Sequence, residues 1–165
     1  MLTLVTTDRR LLDAAREGDP ALAAALGTAV VPGWVTFTEA LEHTTPGRWG
    51  THLFLAGDPA ELVGWGGFKG PPVDGVAELG YEIAEARQGR GLATRAVEAM
   101  LEQAFGALEV DEVIAHTLPE RNASNRVLEK AGFAFERETE EGGEAVWRFS
   151  RRREPTPPPG SPPRP

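Results

Sequence analysis

The 165-residue sequence contains no cysteine, which excludes disulfide bonds, cysteine nucleophiles, thiolate zinc sites and iron–sulfur clusters. Its three histidines, His43, His52 and His116, lie far apart without the spacing of metal ligands, so we expect no metal site. No apolar run approaches the roughly 18 residues that a membrane span needs, and the first residues do not resemble a secretory signal. These absences predict a cytoplasmic, globular protein that does not bind membranes.

The charge is negative and unevenly placed. The net charge is −8, yet residues 151–165 carry four arginines and one glutamate, which leaves 13 basic against 24 acidic residues in 1–150. An acidic body disfavours nucleic acid and suits a cationic small molecule or an amine-bearing peptide. Seven of the fourteen prolines also lie in 151–165. We therefore expect a domain over residues 1–150 and a disordered Pro- and Arg-rich tail, either merely solvated or a ligand for a partner.

Apolar spacing predicts helices that alternate with strands. The expected helices cover Arg9–Glu17, Ala21–Leu26, Thr38–His43, about fifteen residues from Ala93 to Leu108, and Asn122–Ala131. The expected strands are Leu2–Thr6, His52–Ala56, Leu62–Phe68, Val76–Ile83, Val110–Thr117 and a hairpin of Phe133–Arg137 with Glu144–Phe149. This order indicates a mixed α/β or α+β domain.

The segment Val76–Ala93 carries the strongest chemical signal. An alternating strand ends at Ile83, and Gln88-Gly89-Arg90-Gly91 then opens an amphipathic helix. Two glycines allow a tight turn and close approach of a ligand, and the unpaired N–H groups of the helix start attract anions. The spacing fits neither a P-loop nor a dinucleotide-binding loop, so the expected guest is another phosphate or pyrophosphate.

This segment resembles the acetyl-CoA motif of the GNAT acetyltransferases, whose pattern [Q/R]-x-x-G-x-[G/A] is filled by Gln88, Gly91 and Ala93. Residues 119–133, P-E-R-N-A-S-N-R-V-L-E-K-A-G-F, are similar to the second cofactor segment of the family, particularly in its ribosomal-protein N-terminal acetyltransferase branch. The resemblance implies a mostly antiparallel, splayed central sheet flanked by helices.

The resemblance also implies where acetyl-CoA binds. Backbone N–H groups of residues 89–94 hold the pyrophosphate, and main-chain groups at the end of the strand pair with the pantetheine arm. Asn122 and Asn125 contact the pantetheine or simply cap a helix, and Arg121 stands where many members carry the asparagine. The predicted cofactor residues are Glu82, Ile83, Ala84, Gln88, Gly89, Arg90, Gly91, Leu92, Ala93, Thr94, Asn122 and Asn125.

Acetyl transfer from acetyl-CoA to an amine needs a neutral nucleophile, so a base is expected. By resemblance the base is Glu78, with Glu144 and His116 as alternatives; the other interpretation of Glu78 is a solvent-facing strand residue. Many members protonate the leaving thiolate with a tyrosine of the later helix. Here the single tyrosine, Tyr81, lies on the strand, and Ser124 is either the proton donor or a helix cap.

The acceptor is left open by the sequence. Trp34, Phe37 and Trp65 either line its pocket or belong to the core. A protein N-terminus, an aminoglycoside-like molecule and a polyamine all suit an acidic body. The resemblance implies direct transfer within a ternary complex; a non-catalytic acyl-CoA-binding sensor is the alternative. A homodimer, the commonest oligomer, is compatible with the sequence but not indicated by it.

Overall fold

A computed structural model describes residues 1–155 and 160. Its eight strands are β1 (Leu2–Thr6), β2 (Ala29–Val30), β3 (Thr51–Ala56), β4 (Glu61–Phe68), β5 (Val76–Ile83), β6 (Glu112–Thr117), β7 (Ala134–Glu141) and β8 (Glu144–Arg152). Its α-helices are α1 (Arg9–Glu17), α2 (Asp19–Leu26), α3 (Leu92–Phe105) and α4 (Ala123–Lys130). Two 3-10 helices cover Thr38–His43 and Glu85–Arg87. No helix among the described residues has both the length and the apolar character needed to cross a bilayer.

The strands form one sheet in the order β1-β3-β4-β5-β6-β8-β7, with β2 beside β4. Every pair along this path is antiparallel except β5 with β6. Those two run parallel and pair only over Val76–Glu78, whereas β5 continues beside β4 to Ile83. The sheet therefore opens between β5 and β6 beyond Glu78. The mixed class and the mostly antiparallel, splayed sheet predicted from the sequence are confirmed.

A separate apolar core lies on each face of the sheet. Neighbouring residues of β3 show the division, because Leu53 packs with α1 and α2 while Phe54 packs with α3 and α4. On β5, Leu79, Tyr81 and Ile83 point to the α3 side. Glu78, Gly80 and Glu82 consequently face the side of α1, α2 and the first 3-10 helix.

The domain continues beyond the boundary predicted at residue 150. Strand β8 runs to Arg152, and the Arg151 guanidinium donates to the Ala131 carbonyl at the end of α4 over 2.6 Å. The Arg153 guanidinium donates to the carbonyls of Ala107 and Val110. Residues 151–153 thus belong to the fold, because their charged groups satisfy carbonyls of the body. The rest of the expected tail falls largely on residues 156–159 and 161–165, which lie outside the described residues.

Candidate active site

A cavity of about 600 Å³, here called the anion cavity, lies where β5 ends and α3 and α4 begin. Its wall contains ten residues that the sequence assigned to cofactor or catalysis: Glu82, Ile83, Gln88, Gly89, Gly91, Leu92, Ala93, Thr94, Asn122 and Ser124. The wall also includes residues that the sequence did not assign: Tyr81, Arg87, Ala123, Arg126, Val127 and Lys130. Two segments 28 positions or more apart thus meet at one site.

The start of α3 forms the positive end of this cavity. Gly89 and Gly91 both have φ of +76°, a left-handed conformation that favours glycine, and nothing lies within 4 Å of where a Cβ would stand. Gly91 caps α3 without a side-chain hydrogen bond, and the first turn holds no acidic residue. The first helical N–H bond is that from Arg95 to the Gly91 carbonyl. The N–H groups of Leu92, Ala93 and Thr94 therefore remain available to an anion.

The free edge of β5 forms a second wall. The Ala84 N–H donates to the Val63 carbonyl at 2.8 Å, so this end of β5 alternates between groups bonded to β4 and groups that face the opening. Tyr81 and Ile83 are the residues whose main chain faces the opening. Ala84 is fully buried and its N–H is bonded to Val63, so its predicted contact with the cofactor stays a prediction that these bonds do not support.

The side chain of Glu82 makes hydrogen bonds that the sequence did not predict, and they connect β5 to β4 and to the loop around Thr36. Oε1 accepts from the N–H and hydroxyl of Thr36 at 2.8 and 2.6 Å, and Oε2 accepts from Trp65 Nε1 at 2.9 Å. These bonds fix the loop before the first 3-10 helix to β4 and β5. The main chain of Glu82, two residues before Ala84, is directed at β4 in the same way.

The start of α4 supplies the opposite wall. Asn122 is its N-cap, with Oδ1 accepting from the Asn125 N–H at 3.1 Å, and it also lines the cavity. Asn125 is fully buried, and its Nδ2 donates to Asn122 Oδ1. Asn125 is absent from the cavity wall, and its hydrogen bonds to Asn122 help to order the helix start. Ser124 lies within the helix and lines the cavity, so it is not the cap.

The side chain of Tyr81 reaches α4, the later helix, which itself contains no tyrosine. Its hydroxyl lies 3.5 Å from the Ser124 carbonyl, across the opening between β5 and α4. Burial raises the pKa of Tyr81 to about 12, so the hydroxyl keeps its proton at neutral pH. Sequence position hid this contact, because residues 81 and 124 are brought together only by the sheet.

The basic residues near the cavity divide into two groups. Arg87 forms a bidentate pair with Glu61, with nitrogen–oxygen distances of 3.1 and 3.2 Å. Arg90 is exposed in the loop and is not part of the cavity wall, so its contact with the cofactor stays a prediction. Arg126 and Lys130 do line the cavity. Residues four apart lie on the same side of a helix, so their spacing in the sequence could have shown that they face one site together.

A cleft of about 720 Å³ lies on the other face of the sheet, and we call it the face cleft. Its floor includes the paired glycines Gly67 and Gly80, with Trp65 and Glu82 to one side and Lys69 to the other. One edge is formed by the first 3-10 helix and the residues after it, Ala40, His43, Thr44 and Thr45. Tyr81 and Glu82 line both this cleft and the anion cavity. A ligand in each can therefore meet at β5.

Of the three aromatic residues predicted for the acceptor, Trp65 lines the face cleft. Trp34 is only 1% exposed; its Nε1 donates to Asp19 Oδ1, and its ring packs edge-on against Trp65. Trp34 is therefore a core residue, which is the other interpretation that the sequence left open. Phe37 is 70% exposed and lies outside the cleft wall.

Glu78, the predicted base, belongs to a cluster of four charged or titratable side chains. Its Oε1 lies 2.8 Å from His116 Nδ1, and its other oxygen is in ion-pair contact with Lys69. Glu141 at the end of β7 approaches Lys69 Nζ at 3.0 Å and His116 Nδ1 at 3.6 Å. His116, an alternative base, thus joins Glu78 directly. Glu144, the other alternative, stands opposite Glu141 in the hairpin.

The cluster is half-enclosed, since the Glu78 and His116 side chains are 18% and 13% exposed. Burial opposes the charge of Lys69, but hydrogen bonds and charges of Glu78 and Glu141 outweigh it and raise the pKa of Lys69. The Lys69 hydrogen bond lowers the pKa of Glu141. Ligand atoms of Glu78, His116 and Glu141 lie within 4.8 Å of one another, a grouping that histidine spacing did not predict. The ammonium group of Lys69 places a positive charge beside the two glutamates of this group.

Comparison with known proteins identifies a family of acetyltransferases. Residues 9–134 match the family model described as the acetyltransferase (GNAT) domain. A Bacillus subtilis protein, described as a probable N-acetyltransferase and named YjcK, is 40% identical over 58 residues. That match covers 35% of this chain and 32% of YjcK, so the chain aligns with about a third of this relative.

Two solved structures share the fold at low sequence identity. The aminoglycoside acetyltransferase AAC(6')-Ib, in complex with coenzyme A and kanamycin, gives a TM-score of 0.65 at 17% identity, over 93% of this chain and 95% of that one. The ribosomal-protein-S5-alanine acetyltransferase of Vibrio fischeri gives 0.64 at 14%, over 92% of each chain. Because the family model matches most of the sequence, the chain belongs to the GNAT acetyltransferase family.

Proposed function

We propose that this protein transfers the acetyl group of acetyl-CoA directly to a primary amine within a ternary complex. The observation that carries the proposal is the arrangement around β5. One face of this strand opens to the anion cavity, the other faces the face cleft, and Tyr81 and Glu82 line both. Two substrates bound on opposite sides therefore meet at the opening between β5 and β6.

The anion cavity suits the pyrophosphate and pantetheine of acetyl-CoA. Free N–H groups at the start of α3 take the pyrophosphate, and Arg126 and Lys130 add positive charge from α4. Main-chain groups of Tyr81 and Ile83 face the opening and extend the sheet toward the pantetheine. An N–H at this edge then donates to the thioester oxygen as negative charge develops on it.

Glu78 is the base in this scheme, with His116 beside it. The amine nitrogen attacks the thioester carbon, forming the C–N bond as the C–S bond breaks, and the amine proton passes to Glu78 directly or through water. The coenzyme A sulfur leaves as a thiolate and takes a proton from solvent or from the hydroxyl of Tyr81 or Ser124. Since a thiol of this kind has a pKa near 8.5, this last proton transfer contributes modestly.

We infer the class of the acceptor from the glutamates in and beside the face cleft, Glu82, Glu78 and Glu141, and from the structural neighbours. The structural neighbours include an aminoglycoside acetyltransferase in complex with coenzyme A and kanamycin and a ribosomal-protein-S5-alanine acetyltransferase. We infer a cationic amine, either a small molecule or a peptide N-terminus.

The direct test is release of the coenzyme A thiol from acetyl-CoA with kanamycin, spermidine and a short peptide that begins with alanine. The proposal predicts saturable, amine-dependent release with at least one of them. Release that is independent of the amine would contradict it. Tight acetyl-CoA binding with no transfer to any amine would support the alternative, a non-catalytic acyl-CoA-binding module.

A further inference from the structure

Lys69 is an unexpected neighbour for a catalytic base. It directly follows β4, and its N–H donates to the Glu78 carbonyl at 2.9 Å, which holds the two residues side by side. Its ammonium contacts Glu78 and approaches Glu141 at 3.0 Å, while its side chain, 55% exposed, lines the face cleft. A positive charge thus lies beside Glu78, to which the acceptor amine gives its proton in the proposed reaction.

The charge count of the cluster explains what this lysine does. The formal charges of the two glutamates and of Lys69 add up to one net negative charge. An incoming ammonium ion brings that sum to zero. Without Lys69 there would be two negative charges, and both would favour the protonated amine. Since charges a few ångströms apart in a half-buried site interact strongly, this difference affects proton release.

Charged groups surround Lys69 from several elements. Glu78 comes from β5, His116 from β6 and Glu141 from the β7–β8 hairpin, and His43 and Glu82 line the same cleft from the first 3-10 helix and from β5. Only Glu78 and Glu141 make ion pairs with Lys69 among the described residues. Lys69 therefore offsets the effect of these two carboxylates on the acceptor.

We propose that Lys69 is a positioning residue that limits the negative charge around the acceptor, so that the amine binds as an ammonium ion yet releases its proton near neutral pH. The inference rests on the proposed acetyltransferase function. It assigns Lys69 a role through Glu78 and Glu141, without contact with the reacting atoms.

The test compares the pH dependence of kcat and the KM for amine in the wild type, Lys69→Met and Lys69→Arg, with whichever panel amine is turned over fastest. Arg137→Met is the matched control, because Arg137 is 57% exposed and pairs with Glu136, away from the cluster. Acetyl-CoA affinity of each variant reports whether the fold and the anion cavity are intact.

For Lys69→Met we expect a KM for the amine several-fold lower, a kcat at pH 7 lower by about tenfold, and an acid limb of kcat moved up by about one pH unit. Lys69→Arg restores the wild-type profile, and Arg137→Met leaves it unchanged. Equal loss of kcat at every pH, or an unchanged midpoint and KM, would overturn the inference while leaving the proposed function standing. Absence of amine-dependent release in the wild type would instead overturn both.

Discussion

Glu78 Oε1 lies 2.8 Å from Nδ1 of His116, although the two residues are 38 positions apart and belong to different strands. The contact exists because β5 and β6 run parallel over Val76–Glu78 before they diverge. It places a carboxylate and an imidazole, the two most common types of general base, at the point where the sheet opens. A proton taken from an amine at this point can be shared between them.

Replacing Glu78 by glutamine removes the proposed base and keeps the shape of the side chain. We expect kcat to fall by about 100-fold or more, within the usual range for general-base catalysis, with no change in acetyl-CoA affinity. Steady-state kinetics and calorimetric titration measure the two quantities. His116→Gln serves as the comparison and is expected to lose less activity. Full activity in Glu78→Gln would show that the base lies elsewhere.

Gly80 leaves open space in the face cleft, where we propose that the acceptor binds. A Cβ at this position meets no atom within 4 Å, and an exposed valine suits a strand, so Gly80→Val should fold. Its side chain would project into the cleft, and we expect the KM for amine to rise by about tenfold or more while acetyl-CoA binding stays intact. An unchanged KM would mean that the acceptor binds outside the face cleft.

Gly67, the pairing partner of Gly80, provides the contrast. A Cβ there would overlap the Gly50 carbonyl oxygen, so Gly67→Ala must displace backbone. We expect this variant to lower the free energy of unfolding by about 2 kcal/mol or more, in contrast to Gly80→Val. Thermal unfolding of the two variants distinguishes a packing role from an acceptor role for the paired glycines.

Arg153 stabilises the connection between α3 and β6. Its guanidinium donates to the carbonyls of Ala107 and Val110 over 2.7 to 3.0 Å, and it lies over the Phe105 ring. Arg153→Met should cost about 2 kcal/mol, because it leaves partly buried carbonyls without a charged donor. Urea unfolding measures the loss. Arg152→Met is the control, since Arg152 is 83% exposed and pairs with Glu112 at 3.4 Å; equal losses would refute the assignment.

His52 makes stability depend on pH. The ring is fully buried, with Nε2 2.8 Å from the Arg48 carbonyl and Nδ1 3.1 Å from the Thr6 hydroxyl. Burial lowers the pKa of His52, although the hydrogen bond to Arg48 opposes this. Because the unfolded chain takes up the proton at higher pH than the folded one, the neutral ring stabilises the fold above about pH 6.5.

The contribution of His52 is therefore lost as the pH falls below about 6.5. Unfolding free energies at pH 5 and 7.5 test this in the wild type and in His52→Gln. The variant is expected to be less stable at pH 7.5 but to lose less on acidification. The same pH dependence in both proteins would contradict the role of His52.

Local pattern was sufficient to predict most elements of the fold. The alternation of Val76–Ile83 and the apolar spacing of α3 identify the strand and the helix that build the anion cavity. Two-residue β2 was missed because Ala29–Val30 is too short to show a period. The boundary at residue 150 was wrong because proline and arginine content indicated a tail. Composition does not show that Arg151 and Arg153 meet carbonyls distant in sequence.

The candidate site was predicted in part. Loop and helix-start residues followed from their motif, since a glycine-rich turn before a helix has one geometry. Side-chain roles depend on long-range pairing and did not follow. Trp34 resembles a pocket residue in sequence but is buried against Trp65, and Glu141, which stands between Glu140 and Gly142 in the sequence, lies within 4 Å of His116. Neither position is set by local sequence.

We propose that acetyl-CoA binds through the N–H groups at the start of α3. Thr94 lines the anion cavity in the first turn of this helix, where a carboxylate stabilises the helix but repels a phosphate. The most direct measurement is calorimetric titration with acetyl-CoA of the wild type, Thr94→Glu and the neutral control Thr94→Gln. We expect saturable micromolar binding to the wild type, similar binding to Thr94→Gln, and a loss of about tenfold or more in the affinity of Thr94→Glu. Equal affinity for acetyl-CoA in all three proteins, or no binding by the wild type, would contradict the proposal.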